Sequence, residues 1–412
     1  MSDELYRRQV ARLFERSAFY REKLARAGFV SPREVGGLAE IAKLPFTEKD
    51  ELRESQAAQP PLGAHAAVDI ADLARIYSTS GTSGAPLYIP LTRADVEEWR
   101  EIGRRTYARN GIKPTDSVVT TFGAGPFVAG ASLAAFEAIG CTHIPTGVGN
   151  TDKVLAALKQ LKPQALACTP SYALYLGEKI SGAKTSIERI IVGGEPGGGE
   201  DSFRRRIQNL FSAKVYEIMG IGDVAASLWG ECPAQEGMHF SADGVIHVEL
   251  IEPETGKSIP LKDDARGELV YTHLKREAAP LLRFRSRDHV QAWVSECSCK
   301  RKTLRVRCIG RTDDMLIVRG VNVFPAAVRD VVSRFQPRVT GAIQIRPKRR
   351  GVKQEPPLPV LVEAQSDPAL AQSISLELRN TLTFTPDVRL VPPQSLPRSD
   401  YKSKLVDFSE AQ

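Results

Sequence analysis

Residues 73–92 read LARIYSTSGTSGAPLYIPLT, a hydroxyl-rich, glycine-containing loop set between two apolar runs. Small residues let backbone N–H groups approach an anion closely, and Ser78, Thr79, Ser80, Thr82 and Ser83 add hydroxyl donors around Gly81 and Gly84. Such a concavity suits a phosphate chain, triphosphate first. Most Ser/Gly stretches of this kind are solvated tethers, and the flanks argue against that here. Leu73 to Tyr77 and Leu87 to Thr92 read as strands, and Thr92 caps a helical pattern with acid in its first turns, Asp95 and Glu97. A strand, a tight loop and a strand form a structural element.

Outward from this stretch the chain alternates. Apolar runs at 117–122, 165–168 and 189–192 are separated by helical patterns at 129–138, 152–161 and 171–180, which predicts an α/β domain with a largely parallel sheet. Before it, residues 4–27 place Leu5, Val10, Leu13, Phe14, Phe19, Tyr20 and Leu24 at helical spacing among charged residues, the pattern of an amphipathic region packed on a larger body. From 214 to 295 the signals are mainly strands, a smaller and more antiparallel β region. After Gly310, helices at 326–335 and 368–382 and strands at 339–345, 359–362 and 388–391 predict a small α+β domain. The basic segment Lys348 to Lys353 reads as an exposed hairpin between its first two strands.

The bulk properties exclude several classes. At 412 residues the chain is long enough for two or three domains, and 42% hydrophobic with 25% charged residues rules out wholesale disorder. A net charge of +7 suits anionic ligands as well as an ordinary basic enzyme. No apolar run approaches a membrane span and the N-terminus has no signal-peptide core, so a soluble, cytoplasmic protein with no membrane partner is expected. The basic clusters Lys300 to Lys302 and Lys348 to Arg350 lack interleaved aromatics, which argues against a nucleic-acid partner. Six cysteines form no disulfide framework; Cys141 and Cys168 sit in apolar runs as core thiols.

Five further segments join the loop in order: Ile190 to Gly197, an apolar strand ending in glycines and Glu195; Tyr216 to Asp223, a strand presenting an acid; Leu282 to Asp288, whose Asp288 suits a ribose diol; Gly310 to Gly320, at the change of texture; and Leu396 to Lys402. Taken together and in this order, they resemble the acyl-adenylate-forming, or AMP-binding, enzymes, and specifically the phenylacetate-CoA ligase-like branch. Arg16 to Arg21, Leu44 to Asp50, Glu231 to Pro233 and Gly320 to Pro325 are similar to that branch as well, so the resemblance runs nearly the whole chain.

The resemblance implies a large N-terminal adenylate-forming domain, residues 1–311, of mixed α/β sheets plus the smaller β region, and a small mobile α+β lid, residues 312–412. It implies ATP-dependent activation of a carboxylic acid, an aryl or arylacetic acid by family habit, to acyl-AMP and then to a coenzyme A thioester. Ser78, Thr79, Ser80, Gly81, Thr82, Ser83 and Gly84 would hold the β- and γ-phosphates. Gly194, Glu195, Pro196, Met219 and Gly220 would flank adenine, Asp223 would hold Mg²⁺, and Asp288 with Arg311 would grip the ribose. Lys402 would bridge the α-phosphate and the attacking carboxylate, with Lys404 as the rival lysine. Asp313 and Asp314 would form the hinge, Gly320 would line the thiol's path, and Phe122, Gly123, Ala124 and Gly125 would wall the acid pocket. A homodimer is compatible with the sequence.

Three positions depart from the family pattern. Ala85 stands where the loop commonly has lysine, Met219 replaces an aromatic, and Gly222-Asp223 replaces Ser/Thr-Glu, shortening the reach to magnesium by one methylene. These departures keep open adenylation without CoA transfer, by AMP transfer to a cofactor or loading of a carrier protein, and a nonenzymatic nucleotide-binding homologue. A dehydrogenase is the rival on local sequence, since residues 220–225 fit G-x-G-x-x-A, but such a fingerprint must open a crossover helix. Finally, Cys232, His239, Cys297 and Cys299 supply three thiolates and an imidazole, the inventory of a closed tetrahedral zinc site.

Overall fold

The structure, a computed structural model, describes residues 2–79, 86–123, 128–180, 183–397 and 405–411. The expected calls on Ser80, Gly81, Thr82, Ser83, Gly84, Ala124, Gly125 and Lys402 therefore lie outside the described residues. The chain divides into two compact units: Met1–Gly147 with Ile218–Ser286 and Gln291–Val306, and Val148–Glu217 with Arg287–Val290 and Arg307–Gln412. Both mix helices and sheets, as the α/β reading requires.

In the first unit the amphipathic N-terminal region is two helices, Ser2–Arg16 and Ala18–Arg26, split where the Ser17 side chain accepts from the Tyr20 N–H. Their apolar faces bury Tyr6, Val10, Leu13, Tyr20 and Leu24 against Leu274 and Leu282. The strands Leu73–Ser78 and Tyr88–Thr92, which flank residues 80–85 in sequence, pair antiparallel with Ser78 opposite Tyr88. Thr92 and Asp95 form a capping box that starts the helix Arg93–Arg109, as the sequence predicts. The Asp95 carboxylate also accepts from the N–H groups of Glu277 and Ala278, and the buried Arg276 guanidinium lies 3.4 Å away. The strand pair Leu73–Ser78 and Tyr88–Thr92 thus leads into a helix tied to a buried charge pair whose carboxylate is hydrogen-bonded on both oxygens. The expected β region is present as antiparallel ladders: Ile246–Ile251 pairs with both Ser258–Ile259 and Ala265–His273, and Ala225–Glu231 pairs with Met238–Phe240.

In the second unit, Ala165–Cys168, Arg189–Val192 and residues 214–217 form parallel strands. Ala165–Cys168 and residues 190–192 are wholly buried, which is why they read as unbroken apolar runs. Toward the C-terminus, Leu358–Ala364 lies between Val339–Ile345, antiparallel, and Pro386–Val391, parallel. The helices Pro325–Ser333 and Pro368–Leu382 cover this sheet through Val328, Val331, Val332, Leu370, Ile374 and Leu378. One expectation is corrected: the basic segment is no simple hairpin, because Lys353–Gln354 leaves the sheet to pair parallel with Leu316–Val318. Charge marked the segment as exposed, but a two-residue strand carries no periodicity to read.

Arg329 is the main polar tie of this unit. Its guanidinium makes two hydrogen bonds to Glu200, at 2.8 and 3.1 Å, and one to the Pro196 carbonyl, and it lies 4.8 Å from the Phe203 ring centre. With the arginine side chain only 4% exposed, Arg329→Met leaves the Glu200 carboxylate buried and unpaired. Breaking such a pair costs about 3–5 kcal/mol. Thermal and urea melts of the full chain should show the loss, and an unchanged midpoint would remove the tie from the account.

Candidate functional site

The strand Lys214–Ile221 returns as Ala225–Glu231 through a turn in which Val224 N–H donates to the Ile221 carbonyl at 2.8 Å. This is a hairpin, so the glycine-rich run 220–225 opens no crossover helix, and the dinucleotide fingerprint is excluded by its context. Gly220 is required by a close approach: a Cβ there would fall 1.9 Å from the Ala226 carbonyl oxygen, beside the register irregularity between Met219 and Ile221. Gly220 is exposed and Met219 half-buried, leaving backbone open to a flat ring.

Asp223 sits in the turn, 7% exposed. Its Oδ2 accepts from Lys49 Nζ at 2.7 Å, while its Oδ1 is buried with no hydrogen-bond partner among the described residues. A buried carboxylate oxygen without a partner is costly to leave bare and is the donor type that a hard cation prefers. The residue present therefore fits Mg²⁺, despite being one methylene shorter than the family's glutamate. Beside the strand pair, Thr79 Oγ1 accepts from the Leu87 N–H at 3.2 Å, and the Thr79 N–H donates to the Leu87 carbonyl.

Phe122 and Gly123 follow the strand Ser117–Thr120 in the first unit, with Phe122 6% exposed, and the candidates from Gly194 to Pro196 and from Asp288 to Gly320 lie in the second. Gly194 takes φ +94°, turning the chain so that Glu195 can accept from both the N–H and the hydroxyl of Ser171, in the first turn of the helix Pro170–Ile180. A carboxylate there satisfies an orphan donor and complements the helix dipole. Asp288 and Arg311 do come together: Arg311 Nη1 donates to Asp288 Oδ1 at 3.1 Å, and its other edge grips Asp313 at 2.7 and 2.9 Å. Burial disfavours the Arg311 charge, but the Asp288 and Asp313 carboxylates overcome it and raise its pKa. Asp313 is thus held by Arg311, while burial pushes the Asp314 carboxyl up. Gly320, at φ +82°, makes the turn between Leu316–Val318 and Val321–Val323 with open space around it.

The four metal-ligating candidates converge in the first unit. The donor atoms of Cys232, His239, Cys297 and Cys299 lie within 4.8 Å of one another. Cys232 Sγ is 3.7 Å from Cys297 Sγ, and His239 Nε2 is 3.3 Å from Cys232 Sγ and 3.5 Å from Cys299 Sγ. A tetrahedron built with ordinary zinc–ligand bonds has S···S edges of about 3.8 Å and S···N edges of about 3.6 Å. His239 Nδ1 meets Thr303 Oγ1 at 2.7 Å, which orients Nε2 toward the thiols. Glu236 joins the two halves by accepting from the Ser298 N–H at 3.1 Å. Burial, and after it the charges of Arg109, Arg305 and Arg301, depress the His239 pKa to about 4, so the imidazole is neutral, the ligating form. Cys308 is not part of this group.

The chain is 32% identical to the phenylacetate-coenzyme A ligase of Thermus thermophilus, over 97% of its own length and 94% of the relative's. The chain belongs to the AMP-binding enzymes, in the phenylacetate-CoA ligase-like branch. The phenylacetate-coenzyme A ligase of Escherichia coli is 28% identical over 97% of this chain and 94% of that one. The family model for the AMP-binding enzyme C-terminal domain matches residues 320–407. Among solved structures, 2-hydroxyisobutyryl-CoA ligase in the postadenylation state with 2-HIB-AMP superposes with a TM-score of 0.88 at 28% identity, over 98% of this chain and 88% of that chain. Within this branch, two residues carried no role in the sequence reading: Lys49, which lies in a stretch resembling the branch, and the buried His65. The meaning of Lys49 comes from a contact with Asp223, 174 residues along the chain.

Proposed function

We propose that this chain activates a carboxylic acid with ATP, forming acyl-AMP and pyrophosphate, and then passes the acyl group to the thiol of coenzyme A. The observation that carries this reading is the end-to-end likeness to named phenylacetate-coenzyme A ligases. In the first half, a carboxylate oxygen attacks the α-phosphorus and pyrophosphate leaves; in the second, the thiol attacks the acyl carbon and AMP leaves. Both substrates of the first half are anionic, so catalysis rests on positioning and on cations near the developing charge. Residues 78–84 grip the β- and γ-phosphates, and Lys402 holds the α-phosphate against the attacking carboxylate. Asp223 would hold Mg²⁺, which supplies charge neutralisation to the phosphates when bound. Asp288 and Arg311 hold the ribose, and Gly194 to Pro196 with Met219 and Gly220 flank adenine. Residues 312–412 act as the mobile lid, pivoting at Asp313 and Asp314, with Gly320 on the thiol's path.

The acid is aryl or arylacetic, with Phe122 supplying an aromatic edge to its pocket. A small branched hydroxy acid is the second reading, because the 2-hydroxyisobutyryl-CoA ligase shares the fold over nearly the whole chain. Pyrophosphate release across phenylacetate, benzoates, heteroaryl acids and 2-hydroxyisobutyrate, with and without CoA, tests both. An arylacetic or benzoic acid should raise release above the acid-free rate, and thioester should form only with CoA. Release independent of acid, or none with any acid, would count against the assignment. Cys232, His239, Cys297 and Cys299 bind a structural Zn²⁺; four protein ligands leave no open position for catalysis.

A further inference from the structure

The backbone around Lys49 is fixed before its side chain does anything. Thr47 is clamped between the Arg283 carbonyl and the Arg285 N–H, at 2.9 and 3.0 Å, and Glu51 caps the Glu48 N–H at the start of the helix Lys49–Ala58. From that start Lys49 reaches Asp223 Oδ2, its own side chain 32% exposed and the aspartate's 5%. His65 also feels the Asp223 charge; it is buried against Ser55 Oγ at 3.1 Å, and burial lowers its pKa to about 4. It brings no charge at neutral pH. Among the described residues, Lys49 is the cation in contact with Asp223.

We propose that Lys49 is the resident counter-ion of the magnesium carboxylate: it holds Oδ2 while Oδ1 makes no hydrogen bond to the described residues, and its charge keeps divalent cations off Asp223 until nucleotide phosphates arrive. This rests on Asp223 being the magnesium ligand. A monocation and a divalent cation about 5 Å apart repel enough, even at the dielectric of water, to weaken binding roughly ten-fold. The phosphates of ATP restore the balance, so metal entry is coupled to nucleotide entry. Lys49 acts through Asp223 and is a positioning residue.

Mn²⁺ serves as the probe, with free ion followed by electron paramagnetic resonance in the presence and absence of α,β-methylene-ATP. Wild-type protein should bind Mn²⁺ weakly alone and tightly with the analogue. Lys49→Met and Lys49→Gln should tighten nucleotide-free binding by about ten-fold or more, Lys49→Arg should match wild type, and adding Asp223→Asn to Lys49→Met should remove the gain. Nucleotide-free binding unchanged or weaker in both neutral variants overturns the proposal. If those variants melt too low to titrate, Mn²⁺ should raise their melting midpoint by replacing the lost charge, and no rise likewise overturns it. Separately, Asp223→Asn alone with unchanged Mn²⁺ binding in the presence of the analogue would remove the Asp223 assignment itself.

Discussion

Lys402→Ala lowers acid-dependent pyrophosphate release by about a hundred- to a thousand-fold, the usual loss when one positioned donor to developing charge is removed. The reacting groups repel each other, and a lysine between them offsets that repulsion at the α-phosphorus alone. ATP binding should survive, because the β- and γ-phosphates are assigned to residues 78–84, which the substitution leaves intact. Lys404→Ala is the control: two residues further along, it should leave release within a few-fold of wild type. Thioester formation from chemically prepared acyl-AMP should persist in Lys402→Ala, since the second half of the reaction is an attack on carbon. A reversed pattern, with Lys404→Ala inactive and Lys402→Ala active, would move the catalytic role to Lys404.

Zinc removal should be the largest effect on stability. The protein as purified should carry about one equivalent of zinc, and less than about half an equivalent would sink the site. Cys232, fully buried, lies between strands that hold the β region together, and Cys232→Ser replaces a thiolate with a poor zinc ligand. Metal binding free energy at a structural site is largely folding free energy, so chelation or Cys232→Ser should lower the melting midpoint by on the order of 10 °C. Acidification should release the metal as the thiolates and the imidazole take up protons. Restored zinc should bring the midpoint back in the chelated wild type but not in the variant. If the apo protein melts where the loaded one does, the four side chains form a thiol cluster without a structural role.

Much of the architecture was legible from local pattern. The helix Pro368–Leu382 begins at a proline behind the Asp367 cap and ends where the sequence reading ended it. The capping box at Thr92 and Asp95 declared the helix Arg93–Arg109, and the apolar runs of the strands Ala165–Cys168 and Arg189–Val192 declared their burial. The amphipathic N-terminal region was readable as helical, but its division at Ser17 was not, since the apolar spacing continues across the break. The same limit applies to Lys353–Gln354, whose strand is defined by a partner rather than by its own residues.

The sequence by itself determined the order of motifs, and with it the family, the chemistry and the inventory of side chains, because glycines, hydroxyls, acids and lysines announce their uses by type and spacing. Only the tertiary structure decided which of them meet. It brought Cys232 and His239 to within tetrahedral reach of Cys297 and Cys299, joined Arg311 to Asp288, and set Lys49 on one oxygen of Asp223 while the other makes no hydrogen bond among the described residues. Those pairings span tens to more than a hundred residues of chain, where no local periodicity carries information and only strand register and burial fix the distance.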